Sequence, residues 1–153
     1  MKIDLERAAR LRRQVDAQPH ECFRNSVLAL ACLPDQEIEK TFYIEGWLVY
    51  PANCMASEHG WLLAEDGIID VTVLEEDPAV YVPVLTYTWQ EVSRFVRNNA
   101  RMPYFERRKA YQQKMVDAYL TLPLADFDVA YGLALLGHAK TGIEPFIVRA
   151  LPR

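Results

Sequence analysis

Residues 59–74 read HGWLLAEDGIIDVTVL, two largely apolar runs, His59 to Leu63 and Ile68 to Leu74, either side of an Asp66-Gly67 turn signal. Short apolar runs punctuated in this way read as a β-hairpin. Loop length then decides what the hairpin presents, because a one-residue slip moves every side chain to the other face. A two-residue turn at Asp66-Gly67 sets Asp70 opposite Leu63 and leaves His59 about 13 Å away along its strand. A four-residue loop, Ala64 to Gly67, sets Asp70 opposite Trp61 with His59 as its diagonal neighbour on the same face, roughly 7 Å between backbones. An ionised carboxylate between Ile69 and Val71 is costly unless hydrogen-bonded or paired, with His59 or an orphan helix N–H as its partner; the longer loop is expected, because the shorter one separates His59 from Asp70.

Upstream, Thr41 to Tyr50 (TFYIEGWLVY) is rich in aromatic and β-branched residues and nearly continuous in apolarity, as suits a central strand covered on both faces. Glu45 is its one charged residue. Earlier still, Pro19 suits the first turn of a helix running through Cys22, Phe23, Val27, Leu28 and Leu30 to about Leu33, where Pro34-Asp35 ends it. Residues Asp4 to Asp16 place Leu5, Ala8, Leu11 and Val15 on one stripe, the pattern of a short covering helix.

Downstream, the reading continues the hairpin to Leu74 and places a strand at Val80 to Tyr87. Pro83 assigns that strand to an edge or an irregularity. From Thr88 the pattern turns helical, through Trp89, Val92, Phe95 and Val96, then Tyr104 to Leu120 and about Ala125 to His138, with Phe146 to Val148 as a final strand. Helices lead, strands follow and helices close, an α+β order. With 153 residues and no linker or repeat, the expectation is one domain over 1–153 with a helical extension at about 88–140.

Half of the residues are apolar, 51%, and a quarter charged, 25%, the balance of a globular protein. The formal charge of −4 disfavours sequence-independent binding to phosphate backbones, so no nucleic-acid partner is expected. Arg97, Arg101, Arg107, Arg108 and Lys109 read as a solvated helical face. The opening Met1-Lys2-Ile3-Asp4-Leu5-Glu6 lacks the apolar run of a signal peptide or membrane span, so the expectation is a cytoplasmic chain with no membrane contact and free thiols. Oligomeric state is not readable.

Cys22 heads a helix, where unpaired N–H groups and the helix dipole favour a thiolate and can receive an oxyanion. A nucleophilic thiol also needs an imidazole to move its proton and a carboxylate or amide to orient that imidazole, and His59 and Asp70 suit those roles. Cys32 and Cys54 have no such company and read as structural. Gln18, His20 and Asn25 are candidate oxyanion donors. Glu45 is a candidate to orient His59 or bind substrate, or else to pair with Arg24. Trp47 and Trp61 read as core and cleft wall.

Cys22-Phe23-Arg24-Asn25-Ser26-Val27-Leu28-Ala29-Leu30, the strand ending Tyr43-Ile44-Glu45-Gly46-Trp47, Glu58-His59-Gly60-Trp61 and Asp70-Val71-Thr72 together resemble the transglutaminase-like core. That family carries Cys, His-x-Trp and Asp-x-Thr in this order, often with proline where this chain has Val71. The resemblance covers Pro19 to Thr72. It implies a papain-like fold in which a buried helix bears the thiol against a small antiparallel sheet.

The function expected from these residues is cysteine-dependent acyl transfer or hydrolysis of a peptide or amide bond, without a cofactor or metal. Peptidase, deamidase and transamidase chemistry all begin from the same acyl-enzyme. Two rivals remain open. One is a non-catalytic binding or interaction protein on a degenerate papain-like fold, and the other is a metal site from His20, Cys22, Cys54 and His59.

Overall fold

A computed structural model of the chain describes residues 3–50, 55–73 and 80–99, together with 114, 117, 118, 147 and 148. The class is α+β. In chain order the elements are α1 (Leu5–Gln14), α2 (Cys22–Ala31), α3 (Asp35–Ile38), β1 (Phe42–Tyr50), β2 (Met55–Leu63), β3 (Ile68–Ile69), β4 (Val80–Tyr87), α4 (Trp89–Asn99) and β5 (Ile147–Val148). The strands order as β3-β2-β1-β4, and β5 pairs with β2. β4 thus ends the order, the kind of position where a sheet tolerates a proline such as Pro83. Residues 114, 117 and 118 are helical; the remainder of the helices expected over 104–120 and 125–138 lies outside the described residues.

The chain packs as two compact units, one made of Met1–Glu45, His59–Glu76 and Leu85–Glu106, the other of Gly46–Glu58, Asp77–Val84 and Arg107–Arg153. Each is assembled from three separate stretches, so no linker composition marks the division. The first unit has a continuous core of Ala8, Leu11, Val27, Leu30, Leu33, Tyr43, Leu62, Ile69, Val71 and Val92. α1 reaches it through Ala8 and Leu11, one stripe of a helix that Asp4 caps by accepting the Arg7 N–H at 3.0 Å. In the second unit β5 runs antiparallel to β2, with Met55 opposite Val148 and Ala56 opposite Ile147.

The hairpin register follows the four-residue loop. Leu62 pairs with Ile69 and Leu63 with Ile68, and Ala64 N–H closes the loop on Gly67 O at 2.9 Å. The second strand is shorter than the sequence suggests, ending at Ile69 instead of Leu74. The cause is local: Asp70 Oδ1 accepts the N–H groups of Thr72 at 2.9 Å and Val73 at 3.0 Å, so the backbone turns and leaves the ladder.

α2 likewise starts at Cys22, three residues later than Pro19 suggests. His20, with φ of 64°, takes the left-handed conformation and keeps the preceding segment out of the helix. Pro34, read as a terminator, caps the short α3 that the sequence does not announce.

Candidate active site

All three residues expected to carry chemistry fall in the first unit and are buried: Cys22 is 7% exposed, His59 5% and Asp70 0%. α2 supplies Cys22 at its first position, β2 supplies His59, and the turn after β3 supplies Asp70. The hairpin register places Asp70 beside Trp61, on the face that His59 shares. There His59 Nε2 donates to Asp70 Oδ2 at 2.6 Å, a distance typical of a charge-assisted bond. Cys22 lies close enough to the same ring for its side chain to raise the pKa of the imidazole. Asp70 occupies Nε2, which leaves Nδ1 as the ring nitrogen able to exchange a second proton.

Burial by itself would lower the pKa of His59. The charge and hydrogen bond of Asp70 outweigh it, helped by the hydrogen bond and charge of Cys22, and the imidazolium is held up to about 10. Burial likewise pushes the Asp70 carboxyl up, but the charge and hydrogen bond of His59, with the Val73 and Thr72 N–H groups, bring it below the usual carboxylate value.

These shifts set a pH window for stability. A raised histidine contributes fully below its unfolded pKa near 6.5 and loses its contribution as pH rises toward 10; a lowered aspartate contributes above about 4 and loses its contribution as pH falls below that. The urea midpoint is therefore expected to be highest between about pH 4 and pH 6.5 and to decline on the alkaline side. Replacing His59 by glutamine removes that alkaline decline, and an unchanged slope in the variant would assign it elsewhere.

Two contacts bring α2 against β2 beside His59. Ser26 Oγ donates to Gly60 O at 2.8 Å inside the core. A Cβ at Gly60 would stand 3.0 Å from Phe23 Cδ1, 3.1 Å from Phe23 Cα and 3.3 Å from the Tyr43 hydroxyl, so glycine is what lets the helix head approach. Trp61, 2% exposed, stacks on the imidazole with ring centroids 6.2 Å apart. It packs in the interior as a support for His59, not as an open cleft wall.

The other candidates are placed as follows. The Gln18 side chain donates to Asp16 O at 2.8 Å, and His20 is exposed. Asn25 is fully buried and spends its amide on Gln18 and Thr72. Glu45 is fully buried on β1 and accepts from the Tyr43 hydroxyl at 2.8 Å; the Arg24 considered for it pairs with Glu21 at 3.2 Å instead. Trp47 is buried in the second unit.

Cys32, read as structural, is exposed just after α2; Cys54 lies outside the described residues. Among the described residues no group of three or more His, Cys, Asp or Glu is placed to hold a metal ion, and no helix is long and apolar enough to cross a membrane. Arg12, Ser26 and Gly60 join the site without the sequence having assigned any of them a role. Their signals, a charged residue, a small polar one and a glycine, acquire meaning only from their distant partners.

Compared with known proteins, the chain matches no family model, no curated protein and no solved structure.

Proposed function

We propose that this protein is a cysteine-dependent acyl-transfer enzyme of transglutaminase-like or papain-like type, acting on a peptide or amide carbonyl through Cys22, His59 and Asp70. One observation carries the reading: a buried imidazole bonded to a carboxylate on one nitrogen at 2.6 Å and close enough to a helix-head thiol for that side chain to raise its pKa.

A thiolate beside an imidazolium is the reactive form of such a pair. Cys22 Sγ attacks the carbonyl carbon, the C=O π electrons move to oxygen, and the oxyanion meets the backbone N–H groups at the head of α2, where Glu21 supplies no side-chain cap. Collapse re-forms C=O and breaks the C–N bond, and the departing nitrogen takes the His59 proton, leaving a thioester and free amine.

Acylation removes the thiolate, and with it two of the causes that keep His59 protonated. The neutral ring then serves as base for water or for a second amine. Asp70 holds the ring orientation throughout.

Alkylation by iodoacetamide, followed by mass spectrometry at each cysteine, tests the pair. Cys22 is expected to react faster than the exposed Cys32 below about pH 7 despite its burial, and His59→Ala to abolish that advantage. The near-complete burial of Cys22 favours a second reading, a binding protein on the same fold. Equal, His59-independent reactivity of the two thiols would select it.

A further inference from the structure

Cys22, Asn25 and Ser26 share one face of α2, at spacings of three and four. Ser26 fastens that face to the strand bearing His59 through Gly60 O. Asn25 reaches two other segments. Its Nδ2 donates to Gln18 O at 2.7 Å and to Thr72 Oγ1 at 3.1 Å, and its Oδ1 accepts the Gln18 N–H at 3.1 Å. Both amide hydrogens are thereby used, and one side chain holds both backbone polar groups of Gln18.

The two segments so joined are far apart in sequence and adjacent in the site. Gln18 opens the stretch that passes through left-handed His20 into Cys22. Thr72 lies in the turn whose N–H groups hold Asp70 Oδ1. From the other side Arg12 of α1 donates to Thr72 O at 2.8 Å and Val71 O at 3.5 Å, bracing the same turn. A buried amide that served packing alone would need partners of any kind; the partners of Asn25 are the approach to the thiol and the turn that carries the acid.

We infer that Asn25 is the positioning residue of this site, coupling the segment that leads into Cys22 to the turn that presents Asp70, with Arg12 as the brace of that turn. The inference rests on the acyl-transfer reading above. Loss of the coupling lets thiol and acid settle independently, so the cost falls on their alignment, where a displacement of about 1 Å is worth roughly a hundredfold in rate.

The test uses the full chain and the iodoacetamide rate at Cys22, normalised to Cys32, from about pH 5 to about pH 9. Wild type against His59→Ala comes first: a rate at Cys22 indifferent to His59 overturns the acyl-transfer reading and this inference together. Given that dependence, Asn25→Ala and Thr72→Val are expected to cut the His59-dependent rate about ten- to a hundredfold and move the pH profile toward that of His59→Ala. Thr72→Ser, which keeps the hydroxyl, restores it, and Arg12→Lys retains more of it than Arg12→Gln.

Variants that lower the urea midpoint but keep the wild-type rate and pH profile would make Asn25 purely structural, overturning the inference while the acyl-transfer reading stands. Thr72→Val removes a single hydroxyl and carries the test if Asn25→Ala does not fold.

Discussion

Replacing Asp70 by alanine is expected to cost about 3–5 kcal/mol of folding stability, the range for breaking one side of a buried ion pair. The carboxylate is fully buried and has no idle oxygen: Oδ2 accepts from His59, and Oδ1 accepts from the backbone of Thr72 and Val73. Its removal leaves a buried imidazole and two N–H groups without their acceptor, each retaining its desolvation penalty. Asp70→Asn is the informative companion, because an amide oxygen can still accept from the turn while the charge is gone. In that variant burial acts on His59 against much weaker opposition, so its pKa falls from about 10, and the ring becomes neutral earlier in an NMR titration. Urea denaturation measures the first effect. A cost under about 1 kcal/mol for Asp70→Ala would match an exposed pair instead of the buried one described.

Gly60→Val is expected to be the most damaging change that touches no chemical group of the site. The nearest backbone atom to the added Cβ is Phe23 Cα at 3.1 Å, in the first turn of α2 and next to Cys22. The Phe23 ring, at 3.0 Å, can rotate aside; the helix backbone must translate. Translation pulls against the Ser26–Gly60 hydrogen bond and opens the gap between Cys22 and His59. Overpacking of this kind costs about 1–3 kcal/mol, and the displaced thiol is expected to lose roughly a hundredfold in His59-dependent alkylation. Gly60→Ala is expected to show the same two effects at smaller size. Wild-type alkylation in Gly60→Val would mean that helix and strand can separate without moving the thiol from the imidazole.

The hairpin register was legible because one unpaired charge in an apolar strand leaves few alternatives: Asp70 requires a partner, and of the two loop lengths the four-residue one brings His59 within reach of it. Cys22 at a helix head was legible from the apolar run that follows it. The central strand and the edge strand followed from their aromatic and β-branched content and from Pro83, which lies in the last strand of the sheet order.

Other features were invisible for a shared reason. Asn25 reads as a free amide one turn after a nucleophile, and only its bonds to Gln18 and Thr72, the latter 47 residues away, show that its donors are consumed. Arg12 reads as one more charge on a covering helix, until its guanidinium is found on carbonyls about 60 residues downstream. The early end of β3 reflects a carboxylate competing with the ladder for backbone N–H groups, a balance of similar energies that periodicity does not weigh.

By itself, then, the sequence determined the types of the described elements other than α3, the hairpin register and the three residues able to form a thiol, imidazole and carboxylate set, because each leaves a local pattern of period, punctuation or uncompensated charge. Only the tertiary structure decided which polar groups are already spent and which glycine admits the helix. Hydrogen-bond saturation and close approach are properties of pairs distant in the chain, and neither partner announces them alone.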